Sequence, residues 1–199
     1  MSRKSKSLVM LCITIGALGI AVLIRAPKSD AVRAKVAMLN VGQGDSILIT
    51  APSGAQMLID GGRDSKVLSE LAKVMPTGDH SIDVVIATHP DADHIGGLPL
   101  VVDRYQIGLF LTSQVQGDTD VYRDLMSRLI ARHVPAYIAY RGEVVALDST
   151  TTFKVLFPDR EVTDWETNTA SVVGRLDIGK RSALFTGDSP LSIEHHRTD

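Results

Sequence analysis

Cysteine is almost missing from this 199-residue chain, and the one present, Cys12, lies inside an apolar segment near the N-terminus. Residues 31–199 contain none. They form no disulfide and offer no thiolate, so any metal there rests on histidines and carboxylates. Aromatic residues are scarce too, at 5% with a single Trp. That supply suggests no stacking surface for single-stranded nucleic acid. An excess of positive charge is the third absence. With the five basic residues and one acidic residue of positions 1–30 set aside, 16 basic and 22 acidic residues remain, a net charge of −6. This is the wrong sign for gripping nucleic acid by bulk electrostatics. Such a substrate needs a local basic patch, a metal or another protein. There is no internal repeat and no low-complexity tract.

Only one long hydrophobic run is present. Leu8–Ile24 holds seventeen residues without a charge, preceded by Arg3, Lys4 and Lys6 and followed by Arg25 and Lys28. It sits at the lower edge of spanning length and slightly beyond a usual signal-peptide core. Residues 1–30 therefore read as an uncleaved signal anchor, one N-terminal transmembrane helix plus a linker. The flanking charges weakly favour the N-terminus inside, which places the remainder outside the cytoplasm. A cleaved signal peptide is the alternative, but Ser29-Asp30-Ala31 carries a charge in the middle of its small-residue site. Val9-Met10-Leu11 lacks the small residues expected before a lipid-modified cysteine. Residues 31–199 make one domain by length, and 44% hydrophobic residues allow a sizeable core.

Alternation and β-branched runs predict strands at Lys35–Asn40, Ser46–Thr50, Gln56–Ile59, Ile82–Thr88, Ile107–Leu111, Ala136–Tyr140, Phe153–Phe157, Ala170–Ile178 and Arg181–Thr186. Apolar spacing predicts helices over Ser65–Met75 and Thr119–His133, with a shorter one from about Leu98. Strands come first, then alternating helix and strand, then strands again. The order fits two packed sheets with helices outside and does not fit a simple doubly wound sheet.

The chemistry concentrates in His89-Pro90-Asp91-Ala92-Asp93-His94-Ile95-Gly96-Gly97, which follows the apolar run Val84–Ala87. Four metal-competent side chains fall within six residues. Pro90 biases His89 toward extended geometry, so His89 and Asp91 project to one side and reach a single ion. Asp93 and His94 are adjacent and point apart, which suits a second ion or its water. A metal here would lower the pKa of water toward neutrality. The bland reading is a solvated acidic loop with two incidental histidines.

His-x-Asp-x-Asp-His-x-Gly-Gly resembles the signature of the metallo-β-lactamase fold, with Asp91 where the usual form has a third His. The Asp form is similar to the ComEC/Rec2 branch, the C-terminal hydrolase domain of competence proteins that act in DNA uptake. Val41-Gly42-Gln43-Gly44-Asp45-Ser46, Leu58-Ile59-Asp60-Gly61-Gly62, Asn168-Thr169-Ala170-Ser171 and Phe185-Thr186-Gly187-Asp188 extend the likeness, in order, over residues 36–188. It implies an α/β protein with a four-layer αββα sandwich and the site along one edge of the two sheets. It implies a divalent metal, Zn or Mn, as one or two ions. His89 and Asp91 would hold the first and Asp93 and His94 the second, with Asp188 bridging. Asp93 would also orient the attacking water as the catalytic residue. Asp60 matches a carboxylate that steadies the metal loop, or is a turn residue, and Asp45 lines the same edge. Asn168 and Ser171 fall near where other members place a further His, and either contact substrate or cap a strand.

The resemblance also shows departures. The family pattern continues past the Gly-Asp strand to a His-His-Gly-Ser-like motif, whereas this chain ends eleven residues after Asp188 and has His195-His196-Arg197 instead. That pair comes too early and reads as surface, as His80 and His133 read as a loop residue and a helix end. The sequence therefore looks truncated at its C-terminus, with the closing ligand of the second site missing. The leading expectation is a membrane-anchored metal-dependent hydrolase acting on phosphodiester or other phosphate-ester substrates, including DNA. The rival is a non-catalytic module that binds DNA or a partner through a degenerate metal site.

Overall fold

The computed structural model describes residues 33–190, together with the backbone of Ile20–Val22. Among the described residues, eleven strands and four helices follow one another. The first group is β1 (Ile20–Val22), β2 (Lys35–Met38), β3 (Ile47–Thr50), β4 (Gln56–Ile59), α1 (Lys66–Val74) and β5 (Ser81–Ala87). Next come α2 (Ala92–Ile95), α3 (Leu98–Arg104), β6 (Gln106–Thr112), α4 (Asp120–Ala131) and β7 (Ala136–Ile138). The last group is β8 (Val144–Ala146), β9 (Thr151–Phe157), β10 (Val173–Ile178) and β11 (Arg181–Phe185).

Two sheets result. One has six strands in the order β2-β3-β4-β5-β6-β7, antiparallel through β4 and parallel from β4 to β7. The other has the order β1-β8-β9-β10-β11, with β8 to β11 antiparallel. Parallel strands with helical crossovers are covered on both faces and so read as continuous apolar runs. β5, the central strand, is buried along its whole length for that reason.

Period-two alternation sorts the six-stranded sheet into two faces. Leu48, Leu58, Val85 and Phe110 face a core shared with Val67 and Leu71 of α1, Leu98, Val101 and Val102 of α3, and Leu125 and Leu129 of α4. Ile49, Met57, Val84, Ile86 and Leu111 face the opposite way, onto Val145, Phe153, Val155 and Leu176 of the second sheet. Among the described residues the architecture is thus three layers: helices, six-stranded sheet, five-stranded sheet. The fourth, helical layer of the expected αββα sandwich is not among them. The outer sheet shows this directly, since Arg181, Ser182, Ala183 and Leu184 of β11 are all exposed.

The expected transmembrane helix over Leu8–Ile24 falls mostly outside the described residues. Its described part, Ile20–Val22, is a strand paired in parallel with Val144–Ala146, which corrects the helical expectation for those three residues. Ile and Val are β-branched and suit a pleated surface. No helix among the described residues is long and apolar enough to cross a membrane.

Candidate metal centre

β4 and β5 run parallel and end side by side, so Asp60 and Thr88–His89 emerge together at the carboxyl edge of the sheet. Asp60 adopts a left-handed backbone (φ 57°) and is fully buried. Its N–H donates to the Ile86 carbonyl at 2.8 Å, and its carbonyl accepts from Ser46 Oγ at 3.0 Å. The carboxylate then serves both histidines. Oδ1 accepts from Thr88 N at 2.8 Å, and Oδ2 accepts from Thr88 Oγ1 at 2.7 Å. Oδ2 also lies 2.9 Å from His94 Nδ1.

Tautomers follow from that arrangement. A carboxylate only accepts, so Thr88 spends its one hydroxyl proton on Asp60. Thr88 Oγ1, 3.0 Å from His89 Nδ1, must therefore accept from it. His94 Nδ1 likewise donates to Asp60. Both rings carry a proton on Nδ1 and direct Nε2 toward Asp91 and Asp188, which is how a metal-ligating histidine is held by its outer partners. The two ring centroids are 4.1 Å apart.

His89 Nε2 is buried and has no hydrogen-bond partner. Its burial, then the nearby His94 charge, push the His89 pKa down, so the ring stays neutral with a free lone pair. His94 behaves oppositely. Burial opposes its charge, but the hydrogen bond and charge of Asp60, with Asp188 and Asp93 beyond, raise it to about 9. Burial also pushes the Asp45 carboxyl up, at a rim position that senses His94, Asp60 and Asp188.

One ligand atom from each of His89, His94 and Asp188 lies within 4.8 Å of the others. His94 Nε2 to Asp188 Oδ1 is 3.4 Å. Two donors about 2.0–2.1 Å from a tetrahedral ion stand roughly 3.3 Å apart, so this pair fits one ion. Asp91 Oδ2 lies 3.8 Å from His89 Nε2, on the side where an extended His89–Asp91 segment places it. The orphaned Nε2 and the nitrogen-and-oxygen donor set fit a divalent transition metal.

Asp93 is not in that group of three. It follows Asp91 into α2, where neighbours diverge by about 100° around the axis, and its Oδ2 accepts from Gln43 Nε2 at 3.2 Å. Gln43 Oε1 in turn accepts from Arg63 Nη1 at 3.0 Å. The loop carrying Gln43 lies hard against α2: a Cβ on Gly44 (φ 79°) would stand 1.7 Å from the Asp93 carbonyl oxygen. Three further backbone bonds lock the edge, Gly61 N to His94 O at 2.7 Å, Gly97 N to Gly62 O at 3.0 Å and Val172 N to Thr88 O at 2.8 Å. The last brings Asn168 and Ser171 to this end of the sheet.

Sequence reasoning missed Thr88, Gln43 and Arg63. Thr88 merely ends a β-branched run, and although Gln43 stands in the Val41–Ser46 motif, its contact with Arg63 joins loops twenty residues apart and carries no local signal. His80 is an exposed loop residue whose ring is tilted 49° to that of Tyr105 with centroids 6.3 Å apart, and His133 lies just past α4 with φ 52°. His195 and His196 lie outside the described residues.

Several solved structures are similar to this chain. The metallo-beta-lactamase fold protein YhfI from Bacillus subtilis is 19% identical, over 78% of this chain and 60% of that one, with a TM-score of 0.46. Igni18, a metallo hydrolase from Ignicoccus hospitalis, is 14% identical over 78% and 61%, with a TM-score of 0.48. CmlA, a diiron beta-hydroxylase from Streptomyces venezuelae, is 19% identical over 78% and 30%, also at 0.48. The chain spans between 30% and 61% of the length of these three. No curated protein matches it. The family model described as the metallo-beta-lactamase superfamily matches residues 39–199, the stretch that carries both sheets' edge and every side chain of the centre, and the chain therefore belongs to the metallo-β-lactamase superfamily.

Proposed function

We propose that this protein is a metal-dependent hydrolase of phosphodiester or other phosphate-ester bonds, akin to the ComEC/Rec2 branch. The observation that carries the reading is the convergence of His89, His94 and Asp188, with both histidines fixed as Nδ1–H tautomers by Asp60. His89, His94 and Asp188 hold the ion, with Asp91 beside His89. When bound, a divalent ion there supplies Lewis acidity toward a phosphoryl oxygen and a lowered pKa for water.

The remaining residues position and screen. Asp93, steadied by Gln43, accepts a hydrogen bond from the attacking water and orients it. Arg63 and Lys66 supply the local basic patch that the net charge of −6 over residues 31–199 otherwise withholds. Lys66 Nζ lies 3.0 Å from where a Cβ on Gly42 would stand, so both cations flank the Gly42-Gln43 loop beside Asp93. An anionic ester laid along this edge meets positive charge before it meets the acidic cluster. Attachment to a membrane belongs to the same proposal, supported by the uncharged residues Leu8–Gly19 that lie between Arg3, Lys4 and Lys6 and the strand β1; fractionation of the full chain against residues 31–199 tests it.

The activity test uses the purified full chain, metal-stripped and reloaded with Mn²⁺ or Zn²⁺, on bis(p-nitrophenyl) phosphate and on DNA. Turnover that needs metal and is lost in His89→Ala supports the proposal. A folded protein that takes up no metal overturns it. Metal uptake and DNA binding without turnover favour the rival, a non-catalytic binding module.

A further inference from the structure

We propose that Arg63 is a positioning residue that acts through Gln43 on Asp93, fixing the carboxylate that orients the attacking water. The inference rests on the metal-dependent reading above and gives Arg63 a role that Lys66, the other cation of the patch, does not share.

The three side chains form a relay. Arg63 Nη1 donates to Gln43 Oε1 at 3.0 Å, and Gln43 Nε2 donates to Asp93 Oδ2 at 3.2 Å. The two ends decide how the amide is turned. A guanidinium only donates and a carboxylate only accepts. One orientation of the Gln43 amide satisfies both, with its oxygen toward Arg63 and its nitrogen toward Asp93. A flipped amide would set donor against donor at one end and acceptor against acceptor at the other. Arg63 thus selects the group that Gln43 turns to Asp93.

Backbone contacts fix the distances that the relay spans. A Cβ on Gly44, the residue after Gln43, would lie 1.7 Å from the Asp93 carbonyl oxygen. A Cβ on Gly96, the C-cap of α2, would lie 2.1 Å from the Arg63 carbonyl oxygen. Both loops therefore touch α2 backbone against backbone, one at Asp93 itself and one at the end of the same short helix. The loops are also tied to each other, since Gly62 N donates to the Asp45 carbonyl at 2.9 Å. Three segments distant in sequence are clamped together, and the side chains close a gap already set. Asp93 is half-buried, whereas Gln43 and Arg63 are exposed, so trimming either tip leaves the two cores intact.

Charge supplies the reason for an amide in the middle. Asp93 lies close enough to the centre for its charge to act on His94. A guanidinium set directly on Asp93 would neutralise it and occupy the oxygens that the water needs. Gln43 is neutral, so it passes on the restraint of Arg63 without bringing a cation into contact. Lys66 imposes no such restraint, because an ammonium is a point charge on a flexible stem and a guanidinium is a rigid fork.

A double-mutant cycle on metal-dependent hydrolysis of bis(p-nitrophenyl) phosphate by the full chain tests the relay. Arg63→Ala and Gln43→Ala are each expected to lower kcat roughly 10-fold, the weight of one hydrogen bond to a charged group. The double variant is expected to lose no more kcat than either alone, because the second change removes a link already broken. Lys66→Ala is expected to raise KM and leave kcat in place, and Arg63→Lys, which still donates, to recover part of kcat. In metal-free protein, the side-chain amide NMR signals of Gln43 are expected to shift in Arg63→Ala and in Asp93→Asn. A kcat unchanged in Arg63→Ala, or lowered by the same factor with and without Gln43, overturns the inference and leaves the metal-dependent reading standing. Gln43 amide signals unmoved by Arg63→Ala overturn it as well. A wild type without metal-dependent turnover overturns both. Should an alanine variant fail to fold, Gln43→Glu decides: it keeps a partner for Arg63 but turns an oxygen to Asp93, and an undiminished kcat counts against the proposal.

Discussion

At the scale of the residue, one carboxylate organises the centre. Asp60 Oδ2 takes a hydrogen bond from Thr88 and another from His94, and through Thr88 it sets the His89 ring. Replacing it by asparagine keeps the volume and removes the charge. Asp60→Asn is expected to lower metal affinity by roughly 10–100-fold and to bring the His94 pKa down from about 9, which imidazole NMR titration reads directly. The same pair makes a prediction about pH. In metal-free protein the His94 pKa of about 9 exceeds the ordinary value of 6.5. The His94–Asp60 contribution to stability is therefore fully present below pH 6.5 and is lost as pH rises through about 9. Metal affinity runs the other way, rising with pH as the competing proton leaves Nε2. Urea unfolding in EDTA at pH 6 and pH 9.5 checks the first, and calorimetry in buffers of different ionisation enthalpy checks the proton release in the second.

At the scale of the element, most strands and the longer helices are legible in the sequence, and the short pieces are not. The reading of Ser65–Met75 and Thr119–His133 as helices matches α1 and α4 to within two residues at each end. Thr119 caps α4 by accepting from Tyr122 N at 3.2 Å. By contrast α2 spans only four residues and β8 three, too few for a period to show. The predicted strand Ala170–Ile178 starts at Val173 instead, because residues 166–171 close a turn. Tertiary contact, not propensity, defines these pieces. The Gly42–Asp45 loop is the clearest case: Gly44 has φ 79° and leaves no space for a Cβ against α2. Gly44→Ala is expected to destabilise the protein by more than ~1 kcal/mol and to displace Asp93. Differential scanning calorimetry reads the first, and loss of turnover with retained metal uptake reads the second.

At the scale of the whole molecule, stability comes from two cores on the two faces of one sheet. Phe153, almost fully buried between the sheets, has its ring against Gly174, where a Cβ would come within 2.0 Å. Phe153→Ala is expected to cost about 3–5 kcal/mol, measured by chemical denaturation. It leaves the helix-facing core of Leu98, Phe110 and Leu125 untouched, so secondary structure should survive below the midpoint. The inter-sheet core also fixes β10 and β11 relative to β5, and Asp188 follows β11. Loosening it should therefore weaken metal binding from a distance.

His89, Asp91, Asp93 and His94 were readable from their spacing, because covalent neighbours stay neighbours in any fold. Asp60 and Asp188 were readable only by resemblance, since nothing local distinguishes them from turn residues. Which side chains converge was decided by tertiary structure: parallel pairing of β4 with β5 puts Asp60 under both histidines, and the outer sheet carries Asp188 to His94. The helical turn of α2 brought the Asp93 carboxylate against Gln43. Local chemistry is written in sequence order, whereas a metal centre is a matter of distances, and those are set by strand pairing and by the packing of two sheets.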